Sequence, residues 1–427
     1  MKLKITFTIL LLISITGISA QGIFIASFEA EPGQYERINT PVSAVLNGYS
    51  PNVDTCTLVM YEITGGVKRE VHVQVETGPE TKLWWILDGV TEAGRARYYD
   101  LYCTGKRENE HQLKAIINDD NLRLTHRGHD VLQYNHAVRY PPEGVDTVFK
   151  RSAFIHPLWS PSGNILTRIT PPDHYHHYGI WNPWTKVYYR NREIDFWNLG
   201  KGQGTVKFKG YISNASGNVY SGFISLHNHI INDQPGIDLN VMNEIWDVKS
   251  WVINMPGSGQ VYIVDLVSLL SCATPDSVIL DSYTYGGGIG FRATEEWTNK
   301  NSRVITSEGH TRKDADATRA RWANVGGSFA DNTYSGIVFF SHPSNRDHPE
   351  PMRVWPLDSN GGRGDVFFEF CPIRHKRWIL KPGKTYRQKY RMLIYDGKLD
   401  SLIIEKIWND FVFPPEIKIL HLKKSKS

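Results

Sequence analysis

The densest chemistry in this sequence lies between Phe154 and Trp181. Phe154-Ile155-His156-Pro157-Leu158-Trp159 leads into a Ser160-Pro161-Ser162-Gly163 turn. Pro171-Pro172-Asp173-His174-Tyr175-His176-His177-Tyr178-Gly179-Ile180-Trp181 follows. Four of the chain's 16 His fall in this short stretch. On an extended chain, His174 and His176 face one way, and Asp173, Tyr175 and His177 face the other. Flanking Pro and Gly place the cluster on a loop or strand end, where functional residues concentrate. Three readings compete. Neutral imidazoles with a carboxylate can ligate zinc or another transition metal, here through Asp173, His174, His176 and His177. The same groups can act as general acid and base, because histidine titrates near neutrality. Or they form a hydrogen-bonded network that only fixes a loop.

Two more segments carry chemistry. Tyr283-Thr284-Tyr285-Gly286-Gly287-Gly288-Ile289-Gly290-Phe291-Arg292 combines a phenol, a fixed positive charge and glycines that let backbone approach closely. A plain bulge or bend is its bland reading. Ser341-His342-Pro343-Ser344-Asn345-Arg346-Asp347-His348-Pro349-Glu350-Pro351-Met352-Arg353-Val354-Trp355 reads as a rigid polar loop. Its Arg346 and Arg353 suit bidentate recognition of a carboxylate or sulfate, or simple salt bridges to Asp347 or Glu350. Gly362-Arg363-Gly364-Asp365 contains an RGD tripeptide, read as chance. There is no GxSxG elbow and no HExxH, so serine-hydrolase and zincin chemistry lack local support. A pair of glycosidase carboxylates is a spatial feature that sequence does not exclude.

The elements that must position these residues are strands. Val42 to Leu46, Thr55 to Ile63, Lys82 to Leu87 and Arg97 to Tyr102 are short β-prone runs. Asn47-Gly48, Gly65-Gly66, Thr77-Gly78-Pro79 and Asp88-Gly89 punctuate them as turns. This predicts a small β-sandwich over 21–108. After a charged break at Lys106 to Glu110, strands are expected at Leu113 to Ile117 and Leu122 to Thr125, joined by a turn at Asn118 to Asn121. Further strands are expected at Val206 to Ile212, Tyr220 to Ile231, Gln260 to Leu270, Gly336 to Phe340, Val366 to Phe370 and Tyr386 to Tyr395. The pattern predicts one large antiparallel β-sandwich over 109–400, supersandwich-like, within an all-β chain. One helix is expected from Leu399 to Phe411, in a C-terminal region 401–427 that ends in a solvated basic tail.

The composition is that of a globular β-rich chain: 427 residues, 12% aromatic, with 13 Trp and 21 Tyr. Such aromatics build cores and also stack sugar rings. Residues 1–20 read as a secretory signal: Lys2 and Lys4, an apolar run from Ile5 to Ile15, then Ile18-Ser19-Ala20. The formal net charge is +4, two of it from those lysines. A nucleic-acid partner would call for a strong basic excess, so none is expected. No later stretch approaches the roughly 18 apolar residues that a membrane span needs. Export to the periplasm or the medium is expected. None of the four Cys forms a CxxC pair. A Cys56–Cys103 disulfide is permitted in an oxidising compartment, and two free buried thiols fit as well. Cys272 and Cys371 read as core residues.

Several of these motifs occur together in one family. His156-Pro157-Leu158-Trp159-Ser160-Pro161-Ser162-Gly163, the Asp173-His174-x-His176-His177-x-Gly179 cluster, Tyr285 to Arg292, His342-Pro343-Ser344-Asn345, and the stretch from Pro382-Gly383 to Tyr395-Asp396-Gly397 resemble the PmoA-like family over roughly residues 110 to 400. The family label does not hold literally, since a membrane monooxygenase subunit needs several spans. The resemblance implies an exported protein that acts in polysaccharide utilisation. One branch is similar to a dehydratase acting on ulvan oligosaccharides.

On these grounds the expected activity is that of a carbon–oxygen lyase. It would remove water from the non-reducing-end uronic acid of an acidic oligosaccharide, leaving a 4,5-unsaturated end. His174, His176, His177 and Tyr285 are the expected catalytic groups. His156, Trp181, Arg292, His342, Arg346, His348 and Arg353 are the expected substrate contacts, all converging on one cleft. No cofactor is expected, unless the Asp173–His177 cluster holds a metal. The alternatives are a glycoside hydrolase of the same pathway and a non-catalytic glycan-binding protein.

Overall fold

Alternating sequences make strands that bury one row of side chains and leave the other for a second layer. The structure is a computed structural model that describes residues 22–46, 56–105, 110–234 and 237–423. The expected leader, the Asn47-Gly48 turn, the break at 106–109 and the last residues of the basic tail lie outside the described residues. The chain is all-β, with one α-helix among the described residues.

Two eight-stranded antiparallel sheets form the large sandwich. One runs in the spatial order Met352–Val354, Phe367–Phe370, Ile289–Arg292, Ile180–Trp181, Phe154–Leu158, His129–Asn135, Asn121–His126, Leu113–Ile117. The other runs Gly204–Ala215, Ser221–Gln234, Ile237–Met255, Gly259–Cys272, Thr385–Asp396, Tyr334–Ser341, Trp322–Ser328, Ser302–Thr306. Their facing rows meet in one core that includes Leu132, Ile155, Ile180, Phe291 and Phe368 from the first sheet and Trp246, Val264, Phe339 and Met392 from the second. A small four-stranded sheet, Arg192–Ile194, Val187–Tyr189, Val278–Leu280, Trp378–Leu380, closes one end.

The N-terminal unit is a smaller sandwich. Its five-stranded sheet contains Ile23–Glu31 between Arg97–Thr104 and Glu416–Leu422, so the C-terminal segment returns to complete the first domain's sheet. Arg37–Val45, Lys82–Thr91 and Gln74–Glu76 form the facing sheet around Phe28, Met60, Trp85 and Leu101. Cys56 and Cys103 are joined as a disulfide.

The helix spans Ser401–Val412, and the Asp400 carboxylate accepts from the Leu402 backbone N–H at its N-terminus. Its Ile404, Ile407 and Phe411 pack with Ile38 of the small unit and with Trp251, Ile263 and Phe340 of the large sheet. The buried Arg37–Asp410 pair, 2.8 Å, ties helix to small unit. No helix among the described residues is long and apolar enough to cross a membrane.

Candidate active site

The chemistry-bearing segments are neighbours in one sheet. Ile180 pairs with Ile155 and with Phe291, and Phe291 pairs with Phe368. Strand alternation then sorts the side chains. Ile155, Ile180, Phe291 and Phe368 point into the main core, while Phe154, Trp181 and Phe367 point to the opposite face. There they join Tyr178, Trp197, Leu199, Tyr285 and Trp355 in an aromatic floor. A cavity of about 430 Å³ opens above it. His174, His176, His177, Trp197, Asn198, Tyr285, Arg353, Trp355, Ser359, Asn360 and Phe367 are in its lining.

The histidine segment is folded into turns rather than extended. His174 N donates to Pro171 O at 2.9 Å, and His177 N to His174 O at 3.0 Å. The expected two-sided arrangement is therefore wrong: the turns bring all three imidazoles to one side. Ring centroids lie 5.3 Å apart for His174–His176, 4.7 Å for His174–His177 and 4.8 Å for His176–His177.

The three imidazoles have different surroundings. His174 Nδ1 lies 2.9 Å from the Asp173 carboxylate, and its side chain is 37% exposed. With the Nδ1 proton held by the carboxylate, Nε2 carries the lone pair. Asp173 also accepts from Arg292 Nη2, at 3.0 and 2.8 Å. Burial alone would raise the Asp173 pKa, yet the His174 and Arg292 contacts hold it well below the usual carboxylate range. Burial pulls His176 down to about 3, with the neighbouring His174 acting in the same direction. Burial likewise holds His177 neutral, far below its ordinary value.

Arg292 does not reach substrate space. It is fully buried, bonded to Asp173 and Asp365, with its guanidinium 4.7 Å from the Trp355 ring centroid. Burial lowers it to about 10 and Asp173 opposes that, so it remains a cation. Asp365, the acid of the RGD tripeptide, is buried among Arg292, Arg363 and Asn360.

The glycine segment places Tyr285 against Trp197, with centroids 4.7 Å apart. Burial pushes its phenol up to about 12. Gly286 N donates to Glu369, 3.0 Å, which anchors the loop on a buried acid. Arg353 is partly exposed in the pocket and pairs with Asp316 at 2.7 Å.

Other expected contacts lie elsewhere. His342 packs on Phe411 of the helix, 5.1 Å between centroids. Arg346 lies over Trp378 and donates to Arg377 O at 2.6 Å. His348 Nδ1 bonds to Ser341 Oγ at 3.1 Å. These three do not line the cavity: the segment before Met352 turns toward the helix and the end sheet, and only Arg353 and Trp355 reach the aromatic face. His156 points to Thr167 Oγ1, 2.9 Å. Trp181 is buried in the floor, 5.3 Å from His177. Neither is in the lining of the cavity.

Trp197 and Asn198 were not anticipated. Their backbone N–H groups donate to Asp195 Oδ1 at 2.8 and 2.9 Å, and the Asp-x-Trp-Asn spacing of this turn was the available signal. Ser359, Asn360 and Phe367 were also missed. The wall from Trp355 to Asp365 is pinned by Arg312, which donates to the carbonyls of Trp355, Pro356, Gly364 and Asp365. Among the described residues, no group of three His, Cys, Asp or Glu is placed to hold a metal ion, and both Asp173 oxygens are already engaged.

Residues 121–409 match a family model described as a family of unknown function, DUF6807. No curated protein matches the sequence. Among solved structures, a protein in glycosyl hydrolase family 38 from Enterococcus faecalis is similar at 8% identity and TM-score 0.44, covering 94% of this chain and 48% of the other. The GH36 α-galactosidase AgaA from Geobacillus stearothermophilus is similar at 10% identity and TM-score 0.26, covering 68% and 40%. The chain spans less than half the length of either protein.

Proposed function

The chain belongs to the DUF6807 family of unknown function, and from its pocket we propose that it is a carbohydrate-active lyase. It would eliminate water from the non-reducing-end uronic acid of an acidic oligosaccharide, of which ulvan fragments are one kind. The supporting observation is the Asp173–His174 pair opening on an aromatic pocket that also presents Tyr285 and Arg353 and has no carboxylate in its lining.

The chemistry follows from these groups. The proton on C5 of a uronic acid lies α to the carboxylate, and its removal needs a base. His174 Nε2 takes it, with Asp173 stabilising the imidazolium that forms. Arg353 binds the substrate carboxylate and offsets the charge that builds on it. The C5 electron pair forms the C4=C5 double bond, and the hydroxyl on C4 departs. Tyr285, protonated at neutral pH, donates to that oxygen, and water leaves. Trp197, Trp355 and Phe367 supply faces for the sugar ring. Periplasmic or extracellular action belongs to the same proposal.

A two-carboxylate hydrolase is less well supported, because the lining offers His, Tyr and Arg but no Asp or Glu. Incubation with uronic-acid-ended oligosaccharides separates the readings. A lyase generates the ultraviolet absorbance of a conjugated C=C, a hydrolase generates only reducing ends, and a binding protein generates neither.

A further inference from the structure

The loop that gives Trp197 and Asn198 to the first pocket gives Leu199 and Gly202 to a second cavity, of about 270 Å³. Lys150, Arg151, Ser152, Thr205, Lys207 and Asp238 are among its lining residues. Three cationic residues therefore line the cavity with one carboxylate, and that carboxylate is already paired with Lys207.

Arg151 is the unusual member. It is 2% exposed, and its one side-chain hydrogen bond runs from Nη1 to Phe196 O at 3.0 Å. Its Nε is sealed from solvent with no partner. Other buried arginines among the described residues are compensated. Arg37 pairs with Asp410, Arg292 with Asp173 and Asp365, and Arg391 with Asp265. Arg312 spends its donors on four carbonyls and Ser302. Arg151 has neither a hydrogen-bonded acid nor a full set of acceptors. Glu244 attracts it through space, but the oxygens of Glu244 are taken by Asn182, His229, Trp246 and Ser268. Burial lowers Arg151 to about 10, so the guanidinium is still charged at neutral pH. A buried guanidinium with unfilled donors and no acid bonded to it is costly in a folded protein, and a bound anion is one of the few ways to fill them.

We propose that this cavity is an anion subsite. It takes one oxyanion group, a carboxylate or a sulfate ester, held by Arg151 with Lys150 at its mouth. The same chemistry is offered by a free inorganic anion and by an acidic sugar residue. The two cavities have no lining residue in common, so binding and not turnover tests this one.

Isothermal titration calorimetry of the full chain with sodium sulfate, and separately with glucuronate, reads the site. Variants Arg151→Met, Lys150→Ala and Arg353→Ala are measured in parallel. Expected is binding of one or both anions that persists in Arg353→Ala, weakens at least about threefold in Lys150→Ala, and disappears in Arg151→Met. Sulfate binding marks a free-anion site, and binding of glucuronate alone marks a saccharide subsite. If Arg151→Met does not fold, Lys150→Ala decides. No binding of either anion to the unmodified protein overturns the proposal. So does binding that is lost in Arg353→Ala but unchanged in Lys150→Ala. Failure here leaves the lyase reading intact, because that reading rests on the other pocket and is measured by product.

Discussion

His174 is the pocket imidazole whose Nδ1 is held by a carboxylate while its side chain stays open to solvent. Replacing it with Ala removes the proton carrier but little packing. His174→Ala is expected to lower kcat by roughly 10²–10⁴-fold with little change in Tm. An unchanged kcat in folded variant would remove His174 from the mechanism. Arg346 provides the opposite case. It lies over Trp378 away from the cavity, so Arg346→Ala should leave steady-state kinetics unchanged. A rise in KM of tenfold or about that would show that the arginine reaches substrate. These two residues also show how far a sequence can be read. Four clustered His and a Tyr-Gly-Gly-Gly loop announce chemistry by type and spacing. Whether a side chain enters the pocket depends on a turn or on strand parity that composition does not reveal. Arg292 was legible as a charge in the right segment, but its task is to hold Asp173, which only the folded contact discloses.

The segment Gly286-Gly287-Gly288 aims Tyr285, and all three residues have positive φ. At Gly287, with φ +83°, an added Cβ would run into the Trp184 ring. Gly287→Ala therefore combines backbone strain with a clash and is expected to cost at least about 2 kcal/mol. The denaturant midpoint measures this, and an unchanged midpoint would contradict the packing described. Alternation made five strands of the second large sheet legible, but only Phe367–Phe370 of those that build the site, because the others are two to five residues long. Ile237–Met255, the longest in the large sandwich, was not legible. Its core-facing row contains Glu244 and Ser250, both buried, which interrupt the apolar pattern. Glu244 is tolerated inside because Asn182, His229, Trp246 and Ser268 arrive from several places in the chain. The strand Glu416–Leu422 was missed for a related reason. It is mostly exposed and alternates weakly, and its place is set by pairing with Ile23–Glu31 nearly 390 residues earlier.

Across the whole molecule, buried imidazoles make stability depend on pH. Burial lowers His156, His342 and His348 to about 4 and His176 and His227 to about 3, and it lowers His126 and His177 as well. Their folded values lie below the unfolded value of about 6.5. The unfolded chain therefore takes up protons first, and the stability these groups contribute is lost as pH falls from 6.5 toward their folded values. Glu350, Glu369 and Asp410 are raised by burial and act in the opposite sense, losing stability as pH rises above their unfolded values. The seven imidazoles outnumber them. Tm is expected to fall between pH 7 and pH 5, and a flat or rising Tm over that range would contradict the burial described.

The central claim concerns a bond. The Asp173–His174 pair, Tyr285 and Arg353 are proposed to remove water from a terminal uronic acid while leaving every glycosidic bond intact. Mass spectrometry of an acidic oligosaccharide after incubation with the protein reads this directly. The account predicts a product lighter by one water at unchanged chain length, absent when His174→Ala replaces the unmodified protein. A shortened chain, or an oligosaccharide of unchanged mass across the acidic substrates tested, would contradict it.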